Sequence, residues 1–348
     1  MTRMFRLALT TIAIFILATV PTIALVQHDY ILLESAVLAP FRHSFVGTML
    51  NITWSDGSPE SRVIKTFHGW PDRNRWEYLD SEGNPAFIII NNGGKQWEIS
   101  LADRTVYVND DGVGCCQLEE VPAELTRLFH NYRAICNGSA VIAGRETSIF
   151  ALHPLHAGNP ITMLWIDVDT GIVLRLERYS PDGDLLELRS YTSFELVEEL
   201  DPSLFIYSPS IRDKVVHIEH PQLPEQVISL QKQLGERIRY PTSLPPGYQF
   251  SKGRVLSRFR PADTVQLQFA DGLNSISVFQ TFYPDTRSLR QGSPAMEATK
   301  LLMDETEAFL VQAGEGYVLT WHKGNVTYSI VGNLAVQELK RLAHSFRY

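Results

Sequence analysis

Three groupings of side chains in this sequence could do chemistry. His68, in the stretch FHGWPD, stands four residues before Asp72, and a carboxylate there could orient the imidazole for general-base work. Asp167 and Asp169, in WIDVDTG, alternate along an expected strand, so both carboxylates share one face and could hold Ca²⁺. Cys115, Cys116 and Cys136 could form a disulfide. Each grouping also has a plainer reading. A histidine at a strand end beside a turn aspartate is ordinarily a surface pair, and two aspartates running into a turn are ordinarily a solvated strand end. The three cysteines could be buried thiols. Adjacent cysteines close a strained ring, so a bridge from Cys136 to Cys115 or Cys116 is the expected pairing, with one thiol left over. The Cys-Cys pair lacks the C-x₂-C spacing of a zinc site, and His130 is the only histidine near it. The sequence contains no H-E-x-x-H, G-x-S-x-G, G-x-x-x-x-G-K-[ST], G-x-G-x-x-G or C-x-x-C. It therefore reads as a non-enzyme with no metal and no cofactor. Sequons at Asn51, Asn137 and Asn325 matter only in a host that glycosylates exported proteins.

The chain that positions these residues has 348 residues, which favours two domains. With 44% hydrophobic and 20% charged residues, the body is a folded globular protein. A formal net charge of −8 argues against nucleic acid as a partner. Residues 1–28 differ from the rest. Arg3 and Arg6 precede an apolar run from Leu7 to Val26, with a small-residue cleavage candidate at Thr22-Ile23-Ala24. The run is also long enough to span a bilayer at about 20 residues. A cleaved export signal and a retained anchor over residues 7–26 both remain open, and both put residues 30–348 outside the cytoplasm, in the periplasm. No Cys follows the run, which argues against a lipoprotein anchor.

Residues 29–40 read as a short amphipathic helix stopped by Pro40. Strand patterns follow at 45–54, 62–70, 74–80, 85–92, 95–102 and 104–110, broken by Asp-Gly, Pro-Asp and Asn-Gly-Gly turns. Residues 121–132 switch to helical spacing, with Leu125, Leu128 and Phe129 on one face. Strands resume at 133–143, 145–154, 160–169, 171–180 and 185–200. Residues 201–238 hold several prolines and little periodicity and read as a linker, with a short helix at 225–238. A second unit, 239–348, carries strands at 253–259, 264–270, 275–283, 307–312, 316–322 and 325–332, and closes with a helix over 335–346.

Aromatic residues add a clue. Trp54, Trp70, Trp76, Trp97 and Trp165 fall on successive strands of the first unit. They could be core under the two helices, or they could line an apolar cleft that takes an acyl chain or an apolar peptide.

Two stretches resemble a known family. NYRAICNGSAVIAGRETSIFALHP, followed by ITMLWIDVDTGIVLRLERYSPDGDLLE, is similar to the first domain of the MucB/RseB regulators. The matching positions are Asn131, Tyr132, Ala143, Gly144, Arg145, Leu164, Trp165, Asp167, Thr170, Gly171, Leu174, Arg175, Asp182, Gly183 and Glu187. LPPGYQF with LQFADGLNSISVFQ is similar to that family's C-terminal domain, through Leu244, Pro245, Gly247, Tyr248, Phe269, Asp271, Gly272, Leu273, Ser275, Ser277, Val278 and Phe279. The cysteines are not part of that pattern.

The resemblance implies a mainly β (α+β) protein: a LolA-like unclosed antiparallel β-barrel over helices (29–200), then a smaller β-rich domain with a C-terminal helix. It also implies a regulator of an envelope stress response that binds the extracytoplasmic part of a membrane-anchored anti-sigma factor and shields it from proteolysis, with lipid-type signals releasing it. A lipid or lipoprotein carrier is the alternative. On this reading the hairpin of Phe269, Asp271, Gly272 and Leu273 is the expected partner contact, although Asp271-Gly272 also reads simply as a tight turn.

Overall fold

The structure is a computed structural model that describes residues 31–55, 58–109, 121–180, 182–218, 231–232, 238–256, 263–283, 298–303, 306–313 and 316–346. The first domain is one sheet of twelve strands. In chain order these are β1 (Ser44–Ser55), β2 (Ser58–Gly69), β3 (Arg73–Leu79), β4 (Pro85–Asn92), β5 (Gln96–Ser100), β6 (Thr105–Asn109), β7 (Tyr132–Ile142), β8 (Arg145–Pro154), β9 (Ile161–Asp167), β10 (Val173–Tyr179), β11 (Leu185–Val197) and β12 (Lys214–Ile218). Their spatial order is β12-β6-β5-β4-β3-β2-β1-β11-β10-β9-β8-β7. Neighbours are antiparallel except β12, which runs parallel to β6. Strands β7 and β12 end the sheet without pairing to each other, so the barrel is unclosed.

Helix α1 (residues 31–38), which runs into a short 3₁₀ turn at Ala39–Phe41, and helix α2 (Val121–Asn131) lie on the inner face of this sheet. Leu32 and Leu33 of α1 and Leu128 of α2 are buried with Tyr132, Phe150, Leu152, Leu164 and Ile166. The outer face is covered differently. Phe205, fully buried, packs with Ile88, Ile90, Trp97, Ile99, Val106 and Val108. Cover on this face explains the near-continuous apolar run FIII in β4, a pattern expected of strands buried on both sides.

The covering segment corrects an expectation. Residues 201–218 are part of the first domain rather than a linker: Asp201 caps a 3₁₀ turn at Pro202–Phe205, and 214–218 form β12. Its prolines punctuate the segment without loosening it, because the outer face of the sheet supplies the apolar partner for Phe205. Of the helix expected at 225–238, the described residues are 231–232, which are helical, and Ile238, which is not and packs in the second domain's core.

The second domain is a seven-stranded antiparallel sheet: β13 (Gln249–Leu256), β14 (Asp263–Ala270), β15 (Ser275–Phe282), β16 (Thr299–Met303), β17 (Thr306–Ala313), β18 (Gly316–Lys323) and β19 (Val326–Gly332). Their spatial order is β13-β14-β15-β19-β18-β17-β16. Helix α3 (Val336–His344) buries Leu339, Leu342 and Ala343 against Trp321, Tyr328 and Ile330. Trp321 and Tyr328 stack 5.2 Å apart. Strand β16 is absent from the strands the sequence pattern predicts. No described helix is long and apolar enough to cross a membrane, and the apolar run at 7–26 lies outside the described residues.

Candidate functional site: the junction between the domains

Two of the stretches that carry the family resemblance, one from each domain, meet at one place. Asn131 and Tyr132 sit where α2 passes directly into β7. Asp271, Gly272, Leu273 and Asn274 form the turn between β14 and β15, closed by the Asp271 amide donating to the Asn274 carbonyl. That turn is pressed into the end of α2. Tyr132 donates its hydroxyl hydrogen to Asp271 Oδ2 at 2.6 Å and accepts from Asn274 Nδ2 at 2.6 Å. Asn159, in the β8–β9 loop, donates to the same carboxylate oxygen at 3.2 Å. Asn131 Nδ2 donates to the carbonyls of Asp271 (2.8 Å) and Gly247 (2.9 Å). Asp271 Oδ1 accepts from the amides of Leu273 and Asn274.

Asp271 is fully buried, and Tyr132 and Asn274 nearly so. A buried carboxylate is tolerated only when its oxygens are satisfied. Here donors from both domains do that, so the charge needs the domains to be docked. Burial, and then the Asp271 charge, push the Tyr132 hydroxyl pKa far above its ordinary value of 10. The phenol therefore stays a donor.

The approach is close enough to require glycine. Gly272 has φ +104°, and a Cβ there would lie 2.4 Å from the Leu128 backbone nitrogen. Gly247, at φ +87°, faces Asn131 Oδ1 and the His156 ring, each 2.8 Å from a Cβ. Leu273 packs onto the first domain's own core beside Leu128. At the far side of the junction, Gln312 of β17 donates to the Trp54 carbonyl at 3.4 Å. A cavity of about 300 Å³ remains between the domains, lined by Arg178, Asn274, Tyr317 and Asn333 among others.

The hairpin expected to face another protein therefore faces the first domain of the same chain. Phe269 is deeper still, in the second domain's core against Phe250. The five tryptophans do not gather in one cleft either. Trp97 lies on the outer face under Phe205. Trp165 is buried on the outer face, with the Arg175 guanidinium 4.9 Å over its ring. Trp54 shares an outer-face row with Val46, Thr48, Leu50 and Ile52, and Trp70 is in the β2–β3 turn.

Trp76 alone of the five faces inward, in a row with Thr66 and Ile89. Beside it the next inner row holds Met49, Ile64, Tyr78 and Phe87. Strict alternation points to Tyr78 from Trp76, but the sequence does not say which of the two faces is inner.

The remaining candidates are structural. His68 contacts Asn74 Oδ1 and the Pro40 carbonyl, both at 2.6 Å, rather than Asp72. Asp167 is fully buried and pairs with Arg145 at 2.6 Å while accepting from Thr170. Burial raises its pKa, but the hydrogen bonds from Arg145 and Thr170 outweigh that and hold it below the ordinary 3.8. Cys136 is a free, exposed thiol, and the bridge expected from it to Cys115 or Cys116 rests on residues outside those described.

This two-domain arrangement is found in solved structures. The chain is 20% identical to "MucB in complex with MucA(peri)", covering 92% of this chain and 98% of that one, with a TM-score of 0.59. It is 18% identical to MucB in the Pseudomonas aeruginosa MucA/MucB complex (TM-score 0.60) and 19% identical to MucB alone (TM-score 0.56), with the same coverage. No curated protein matches the sequence significantly. Residues 240–346 match a domain of unknown function, DUF4367. Residues 32–208, half of the chain, match the MucB/RseB N-terminal domain, and the chain belongs to the MucB/RseB family.

Proposed function

We propose that this protein is an extracytoplasmic regulator that binds the periplasmic segment of a membrane-anchored anti-sigma factor and shields it from proteolysis. It acts without catalysing a reaction. The observation that carries this reading is the match of nearly the whole chain, both domains in one arrangement, to MucB structures that hold MucA. The junction supports it, because a regulator that presents a composite two-domain surface needs those domains held in register.

The inner face of the first domain is the place for an apolar signal. Met49, Trp76, Tyr78 and Phe87 lie there half-buried, a surface suited to an acyl chain. A ligand in that face shifts the regulator only if it binds the free and partner-bound states unequally. Localisation is periplasmic, with residues 7–26 as signal or tether.

The test uses residues 30–348 and the purified periplasmic segment of a membrane-anchored anti-sigma factor from the same cell. Protease protection of that segment supports the reading. Displacement by a fluorescent fatty acid, weakened in Trp76→Ala, assigns the inner face as the sensor. The carrier reading predicts that a chain lacking 240–348 still transfers lipid between vesicles and that neither form protects the segment.

A further inference from the structure

At the end of the half-barrel remote from the second domain there is a cleft of about 750 Å³. Strand direction fixes its place: β1 begins there at Ser44 and β11 ends there at Val197, whereas Trp54, near the other end of β1, touches the second domain. Its walls are the entry to β1 at Arg42, the β2–β3 turn from Trp70 to Arg73, and residues 196–199.

Trp70 is 53% exposed and Leu196 38% exposed in this cleft. A tryptophan left open in a concave surface is the type of side chain that anchors a docked partner. The Trp70 backbone is held firmly. Its amide donates to Ser44 Oγ at 3.0 Å, and its carbonyl accepts from Arg73, whose guanidinium lies 5.2 Å over the buried Phe205 ring. The indole is thus presented from a fixed turn, which lowers the ordering cost of binding.

The charge around it leans acidic. Asp72, Glu198 and Glu199 stand against Arg42 and Arg73, and Arg73 is already engaged with Trp70 and Phe205. An indole face and exposed carboxylates together recognise a cationic side chain, while Leu196 takes an apolar neighbour.

We infer that this cleft, at the rim and apart from the surface of Met49, Trp76, Tyr78 and Phe87, is a second docking site for an extended polypeptide segment carrying Arg or Lys beside an aliphatic residue. The probe is a short labelled peptide of alternating Leu and Arg, titrated by fluorescence anisotropy into the exported chain, with the Leu/Glu peptide as its counterpart. The Leu/Arg peptide binds the native chain. Trp70→Ala weakens it by about tenfold, the scale of an interface tryptophan. The double variant Glu198→Gln/Glu199→Gln, on exposed side chains, weakens it by about fivefold, whereas Glu82→Gln, at the other end of the sheet, leaves it unchanged.

Equal affinity in Trp70→Ala and the native chain overturns the inference, as does equal binding of the Leu/Glu peptide. Trp70-dependent binding to phosphatidylethanolamine vesicles that the Leu/Arg peptide does not displace also overturns it, in favour of a lipid surface. None of these outcomes depends on the anti-sigma partner.

Discussion

Removing one hydroxyl tests whether the junction couples the domains. In Tyr132→Phe the ring keeps its place beside Phe150 and Leu152, but Asp271 Oδ2 loses its 2.6 Å donor and Asn274 Nδ2 loses an acceptor. The carboxylate keeps Asn159 at 3.2 Å, a long bond from Asn274 Nδ2 at 3.4 Å and two backbone amides. A hydrogen bond to a charged group in a buried site contributes about 1.5–3 kcal/mol. The docked state should therefore lose about 2 kcal/mol, roughly a thirtyfold change in its equilibrium with a separated state. The assay is urea unfolding followed by backbone circular dichroism and by tryptophan fluorescence, since Trp321 reports on the second domain and Trp97 and Trp165 on the first. The native chain should unfold with coincident transitions. Tyr132→Phe should lower the midpoint and separate the two probes. A change below about 0.5 kcal/mol with coincident probes, the size of an ordinary surface substitution, would refute the reasoning.

Three further outcomes follow from the same geometry. Gly272→Ala should be more damaging than Tyr132→Phe, because it adds a Cβ 2.4 Å from the Leu128 backbone at a positive φ; a scattering profile more extended than the native one checks it. Arg145→Ala should cost about 3–5 kcal/mol by stranding the buried Asp167 carboxylate, measured as a drop in the first domain's unfolding midpoint. Docking should also weaken in alkali. Tyr132 has a raised folded-state pKa, so its contribution is fully present below the ordinary tyrosine value of 10 and is lost as pH rises from there toward the folded value. Tyr132→Phe should reduce that alkaline dependence in a urea series at stepped pH, leaving the share of Tyr248, whose hydroxyl is raised by burial and by the same Asp271 charge.

Much of the fold was legible because half-buried strands alternate. The pattern at 45–54 became β1 and that at 275–283 became β15, each within a residue or so of its ends. Alternation gives the two faces of a strand but not which one is inner, so the tryptophans could be placed on strands yet not in a cavity. Residues 201–218 were misread because their local signal is proline and turn chemistry. Their burial depends on an outer sheet face built from residues 88–108, far away in sequence.

The junction was half visible. Asn131-Tyr132 and Asp271-Gly272-Leu273 belong to two separate similarities, and Asp271-Gly272 has the composition of a tight turn. Nothing in either stretch says that one is the other's partner, and Asn159 and Asn274 carried no signal. A polar residue that satisfies a buried carboxylate across a domain boundary looks, in sequence, like any loop asparagine.

The most direct measurement is calorimetric titration of the exported chain with the periplasmic segment of its cognate anti-sigma factor. One-to-one binding at about micromolar affinity or tighter is expected, with the segment protected from protease in the complex. No binding heat and no protection, in a preparation that still takes up a fluorescent fatty acid, would contradict it and leave a lipid carrier in its place.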